Sequence, residues 1–336
     1  MGVGERRWRD ERARLNGSRG PLGEAASALY PEVPRVAETT LLCREEWIPD
    51  GPIPLENVGL EWDPRDVPPA LAGMADGLPD GYRTYAEAMA ALAPPKVFED
   101  RPAYRLLDVR PPLFRLGQAR YFDGVNVGEP VAHELAARAA GVDGLPLRAR
   151  IGDPCDLTRR TALPAITTLT VTASGRYVLH WREAAKVAHG GGLHHVMPVG
   201  LFQPLNEERP DIWACMVREY AEELLGMDEN YGDGFVQDEW PFHRNLTSAR
   251  EEGHLRAYFL GLGVDPLSLA LDLLTVVVFD DDAFGELFGE LVAANAEGKV
   301  STAPFDGTVP EPMQPAGAAA LRLAWRHRAG LGITPG

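Results

Sequence analysis

Cysteine is scarce in this chain of 336 residues: Cys43, Cys155 and Cys215 are the whole complement, odd in number and far apart. That excludes a disulfide framework and leaves no pair at zinc or redox spacing, a pattern that fits a reducing cytoplasm. No apolar run is long enough to cross a bilayer. Met1-Gly2-Val3-Gly4 leads straight into charged residues, so no secretory leader is expected. Positive charge is also short, with 33 Lys and Arg against 49 Asp and Glu and a formal net charge of −16. A field of that sign opposes nonspecific nucleic-acid binding, which depends on neutralising phosphates. It leaves room for a nucleotide-like ligand, because a local arginine cluster can override the global charge. There is no internal repeat. The run Gly190-Gly191-Gly192 lacks the Gly-Lys-Ser/Thr that would make it a phosphate-binding loop, so it reads as a flexible connection.

What is present suits a folded protein with a large core: 45% of the residues are apolar. Residues 1–95 are rich in Pro, Gly and charge, with short helices expected at 24–29 and 85–92. Trp47 and Trp62 argue that this stretch is an extension packed on the main body rather than a free tail. Residues 96–336 form the main domain. Strands are expected at 105–109, 118–122, 165–172, 176–182, 194–197 and 271–279, and a further one at 147–151, where apolar and basic residues alternate. Helices are expected at 131–140, from Pro210-Asp211 onward with Asp211 as cap, at 284–294 and at 317–327. The fold class is α/β.

The run Val217-Arg218-Glu219-Tyr220-Ala221-Glu222-Glu223-Leu224-Leu225-Gly226 carries the most chemistry. On a helix, residues three and four apart share a face, so Glu219, Glu222 and Glu223 point the same way. Three carboxylates on one stripe repel each other. A hard divalent cation is the simplest reason to keep them together, since Mg²⁺ takes oxygen ligands and shares them with a substrate phosphate. The plain alternative is the acidic, solvated face of an ordinary amphipathic helix.

A hairpin, a glycine loop, this helix and a late strand together resemble the Nudix superfamily, whose signature places a Gly and a Glu ahead of Arg-Glu-(aliphatic)-x-Glu-Glu-x-Gly. Gly200 matches the signature glycine, and Arg218, Glu219, Glu222 and Glu223 match the helical core, with Tyr220 at the aliphatic position. Between them the loop is remodelled. Glu207 follows Gly200 one residue late, Pro210 stands where the pattern expects Glu, and Gly226 also comes one residue late. Segments 165–171, 196–204, 216–226, 255–263 and 271–279 are also similar to a Nudix-like module of actinobacterial proteins, often joined to a DNA-binding unit that has no counterpart here; residues 6–12 are charged and short.

The resemblance implies a Nudix-like α/β/α sandwich with a mixed sheet. It also implies a Mg²⁺ (or Mn²⁺) dependent pyrophosphohydrolase acting on a nucleoside diphosphate-linked substrate. Glu219, Glu222 and Glu223 would hold the metal, and Arg218 would orient Glu219. Gly200, Arg182, His195 and Trp240 are the candidate substrate-binding residues. The remodelled loop keeps two other readings open: a non-catalytic sensor of a nucleotide-like ligand, and a biosynthetic enzyme that has changed the reaction. A homodimer is compatible with all three.

Four further groups have two readings each. Arg148, Arg150, Arg159 and Arg160 flank Asp153-Pro154 and read as a diphosphate clamp or, slightly better, as surface salt bridging. Of His189, His194 and His195, the last two would face opposite ways on a strand. Asp280, Asp281 and Asp282 at a strand end offer a general base or a solvated turn, with Asp238 and Glu239 as competitors. Tyr231, Phe235, Trp240 and Phe242 in the insertion 230–245 either stack on a base or staple the loop to the core.

Overall fold

The computed structural model describes residues 2–65, 69, 71, 77–95, 98–183, 192–205, 209–227, 231–232, 234–289 and 298–334. His189, Gly190, Gly191 and Glu207 lie outside these. In chain order the helices are α1 (Val3–Gly17), α2 (Arg19–Ser27), α3 (Tyr85–Leu92), α4 (Tyr121–Ala139), α5 (Pro146–Ile151), α6 (Ile212–Leu225), α7 (Pro241–Glu251), α8 (Asp281–Phe288), α9 (Pro315–Arg326) and α10 (Arg328–Leu331). The strands are β1 (Ile53–Pro54), β2 (Gly59–Trp62), β3 (Pro102–Arg110), β4 (Leu113–Arg120), β5 (Pro164–Thr172), β6 (Arg176–Arg182), β7 (Leu193–Val196), β8 (Val199–Leu201), β9 (Leu255–Val264), β10 (Leu271–Phe279) and β11 (Gly298–Pro304).

The architecture is mixed α/β. The main sheet runs β1-β9-β10-β5-β6-β11, with β7 added to β6 and β8 to β5. Its centre is the parallel pair β5–β10; the other pairs are antiparallel. All nine residues of β10 are buried, as a strand covered on both faces requires. Each fully buried Val or Leu there contributes on the order of 2 kcal/mol. A smaller sheet, β2-β4-β3, packs beside the first.

Alternation along β5 sorts its side chains onto two faces. Thr170 meets the Tyr220 hydroxyl of α6 at 2.7 Å, so Ile166, Thr168 and Thr170 face α6. Thr167 donates to Asp272 on the other face, at 2.8 Å. Helix α9 packs across β5, β7, β9 and β10. The N-terminal segments join this body at several places. Helices α1 and α2 pack on α4, β1 pairs with β9, and β2 pairs with β4.

Residues 147–151 are helical, not a strand. Pro146 opens the turn in the first-turn position proline tolerates, and Leu147 and Ile151, four apart, share the buried face. Over five residues, alternation and a single helical turn bury the same apolar pair, so the pattern alone does not separate them. The charged segment near the N-terminus is the long helix α1, with Trp8, Arg12 and Leu15 on its buried face.

Candidate functional site

Helix α6 starts where Asp211 accepts a hydrogen bond from the Ala214 amide at 2.9 Å, the expected cap. It stops at Gly226, whose φ of 67° is the left-handed conformation that glycine adopts freely. The late glycine is therefore a helix C-cap. Ile212, Cys215, Met216, Tyr220 and Leu224 bury one stripe of the helix. Glu219, Glu222 and Glu223 sit half-buried beside it.

Glu219 lies directly over Gly200 of β8. A Cβ at residue 200 would fall 1.9 Å from Glu219 Cδ and 2.0 and 2.2 Å from its oxygens. With Glu219 in this position, a side chain at residue 200 has no room. Glu223 Oε2 accepts the Val199 amide at 3.0 Å, so two carboxylates of the helix dock the same short strand. Glu222 Oε1 accepts the Tyr231 hydroxyl at 2.6 Å. Burial first, and then Glu222, push the Tyr231 pKa well up, so this hydroxyl keeps its proton and remains a donor. Arg218 is buried; it donates to the Gln203 carbonyl at 2.8 Å and to the Gln237 side chain, and Gln237 in turn donates to the Ala214 carbonyl at 2.7 Å. The arginine thus ties the loop after β8 and the segment before α7 to the helix. Cys215 is a buried core residue, its thiol pushed up to about 12 by burial and then by Glu219.

On the opposite face of β8 lies a cavity of about 1150 Å³. Val199 and Leu201 point into it, while Gly200 between them faces α6. Arg182 and His195 line it too, as do Asp272 and Arg160. The structure therefore divides the expected site. Arg182 and His195 share the cavity, whereas Glu219, Glu222 and Glu223 stand across one strand from it. Asp272 is 5% exposed, and burial raises its carboxyl to about 7 against the opposing pull of the Thr167 hydrogen bond. His195 faces the cavity, and His194, the next residue, packs edge-on against Trp181.

Trp240 sits on the carboxylate side. Its ring meets Tyr231, Phe235 and Phe242 at centroid distances of 5.8, 5.7 and 5.2 Å, so the aromatics of the insertion pack on each other and reach the core at Phe288. Asp281 is engaged by the Ser174 turn. Phe279 pairs with Thr172, five residues along β5 from the Thr167 that pairs with Val199, so the Asp280–Asp282 corner starts roughly 17 Å along β5 from β8. The Phe279 ring itself packs on Tyr220 of α6 at a centroid distance of 6.0 Å. Asp238 lies 3.8 Å from His243. The arginine group does not make a row of surface salt bridges, because two of its members are buried. Arg148 donates to Tyr30, Val131, Pro266 and Leu267, and Arg160 is 2% exposed.

The donor set of Glu219, Glu222 and Glu223 suits a hard cation: all ligand atoms are oxygens, half-buried and on one side of a helix. Each carboxylate has several acceptor sites, so the bonds from Tyr231 and Val199 are compatible with a shared cation. Among the described residues, no three His, Cys, Asp or Glu groups already stand together as a metal cage; binding would draw the three carboxylates inward. Among the described residues, no helix is long and apolar enough to cross a membrane.

Two residues escaped the sequence reading. Asp272 was visible only as an interruption of an apolar strand, and Gln237 carried no signal. No protein-family model matches the chain, and a search of curated proteins finds no match either.

Proposed function

We propose that the chain is a Nudix-like α/β/α sandwich that hydrolyses a nucleoside diphosphate-linked substrate with the help of Mg²⁺ or Mn²⁺. The observation that carries this reading is the seat of Glu219 over Gly200, with Glu222 and Glu223 on the same half-exposed face. The Glu219 carboxylate fills the space a side chain at 200 would take, which ties the glycine of β8 to the acidic helix. A divalent cation held there would supply Lewis-acid polarisation of the diphosphate and a more acidic bound water. Arg218 holds the loop and the Gln237 segment against the helix, and Glu223 fixes β8 beside it.

The test is a mass-spectrometric turnover screen over nucleoside diphosphate sugars, dinucleotides and nucleoside triphosphates, with either cation. Cleavage by the wild type and its loss in Glu222→Gln is the expected result. Equal rates in the two proteins would overturn the metal assignment.

A second reading has its own support. The cavity, with Arg182 and His195, lies across β8 from the carboxylates, an arrangement that suits a sensor of a nucleotide-like ligand. Stabilisation by a nucleotide without turnover, in the presence of metal, is its signature.

A further inference from the structure

Arg160 differs from the other buried arginines of the protein. Arg148, equally enclosed, donates to three carbonyls and a tyrosine hydroxyl. Arg12 is paired with Glu129. Arg160 is 2% exposed, yet among the described residues its guanidinium makes one hydrogen bond, to the Pro154 carbonyl at 3.3 Å; its Nε is without a partner, as are those of Arg12 and Arg148. A guanidinium has five N–H donors, and an enclosed cation without a counter-charge is strongly disfavoured. Burial lowers its pKa to about 10 against the opposing pull of Cys155 and Tyr30, and among the described residues no carboxylate acts on it.

The same residue lines the cavity behind β8. Leu163, Leu193, Val199, Leu201, Val309 and Met313 supply apolar wall. The acidic groups of the cavity do not oppose an anion as strongly as their number suggests. Glu129 is neutralised by Arg12 and Arg19, and Asp265 accepts from Leu267 and Ser268. Asp272 holds its proton up to about pH 7. Glu24, Glu38 and Glu311 are exposed. A mostly apolar cleft with a few placed polar groups is the usual form of a small-molecule site.

We propose that this cavity binds a small organic anion, with an apolar body against the β5–β8 face and a phosphate or carboxylate held by Arg160. The site is separate from the acidic helix and does not depend on metal chemistry there.

The experiment is thermal unfolding and calorimetric titration of the full chain in EDTA, which removes any cation-dependent contribution. The probes are inorganic phosphate, a nucleoside monophosphate and a short aliphatic dicarboxylate. Two variants accompany the wild type. Arg160→Met keeps the bulk and removes the charge. Gly23→Leu leaves Arg160 intact and fills space, since nothing lies within 4 Å of the position a Cβ would take on this cavity-lining glycine.

At least one probe is expected to bind the wild type, and both variants are expected to bind it at least about tenfold more weakly. Free Arg160→Met is expected to be no less stable than the wild type, since it loses an unpaired buried charge. Binding of the phosphate-bearing probes alone identifies a phosphate ligand, and binding of the dicarboxylate alone a carboxylate. No binding to the wild type, undiminished binding in Arg160→Met, or a free Arg160→Met protein markedly less stable than the wild type would overturn the proposal.

Discussion

The carboxylate of Glu219 occupies the space that a side chain at residue 200 would need. The obstruction is the end of a flexible side chain, so Gly200→Ala is expected to fold with Glu219 displaced, at a loss of about 1–2 kcal/mol. Glu219→Ala should relieve most of that loss when combined with it. Urea unfolding of both single variants and the double variant gives the coupling directly. An undiminished penalty in the Glu219→Ala background would mean that Gly200 answers to its backbone and not to this contact.

Tyr231→Phe removes a hydrogen bond to a carboxylate at a half-buried site. The expected loss is about 1–2 kcal/mol. Because the Tyr231 pKa is raised above its ordinary value of 10.0 in the folded protein, the advantage of the wild type should hold up to about pH 10, where the unfolded tyrosine begins to ionise, and shrink above it. Denaturant curves at several pH values check both statements.

Asp272 sets a pH dependence of definite sign. Its carboxyl titrates at about 7 in the folded protein and near 3.8 when unfolded. Between those values the native state keeps a proton that the unfolded state has lost. This group's contribution is therefore present at low pH and is lost as pH rises through the window, by up to about 1.4 kcal/mol per pH unit. Asp272→Asn can still accept from Thr167 and should flatten that slope. An unchanged slope would show that another group controls it.

Glu129 takes both Arg12 and Arg19, and Arg12 is 2% exposed. Glu129→Gln strands Arg12 in the interior, a change expected to cost about 3 kcal/mol or more. Since Arg12 anchors α1 to α4, limited proteolysis should cut within α1 sooner than in the wild type. Identical digestion patterns would show that α1 is held by its apolar contacts alone.

Local signals were enough for the parts of the fold that act locally. The β-branched runs of β5 and β6, the Asp211 cap and the apolar run of β10 each state their own conformation. The acidic stripe was legible because helical spacing alone puts its carboxylates on one face, whereas Gly200 was singled out only by resemblance to a family signature. Other features depend on residues far apart in the chain. Thr167 meets Asp272 across the parallel pair, and the cavity behind β8 draws its walls from α2, α4, the β9–β10 connection and α9. Arg160 sits in a charged segment whose composition is that of a surface, and only tertiary packing makes it a buried cation. Residues 147–151 were misassigned for a related reason, because five residues are too few for period two and period 3.6 to diverge.

Strand β8 is three residues long, with Gly200 turned to Glu219 and Val199 and Leu201 turned to the cavity. A slip of one residue against β5 would exchange the two sides. A branched side chain would then be driven into the Glu219 carboxylate, and the cavity would lose part of its apolar lining. The strand thus has one workable register, and the acidic helix and the cavity are partitioned by a wall a single backbone thick.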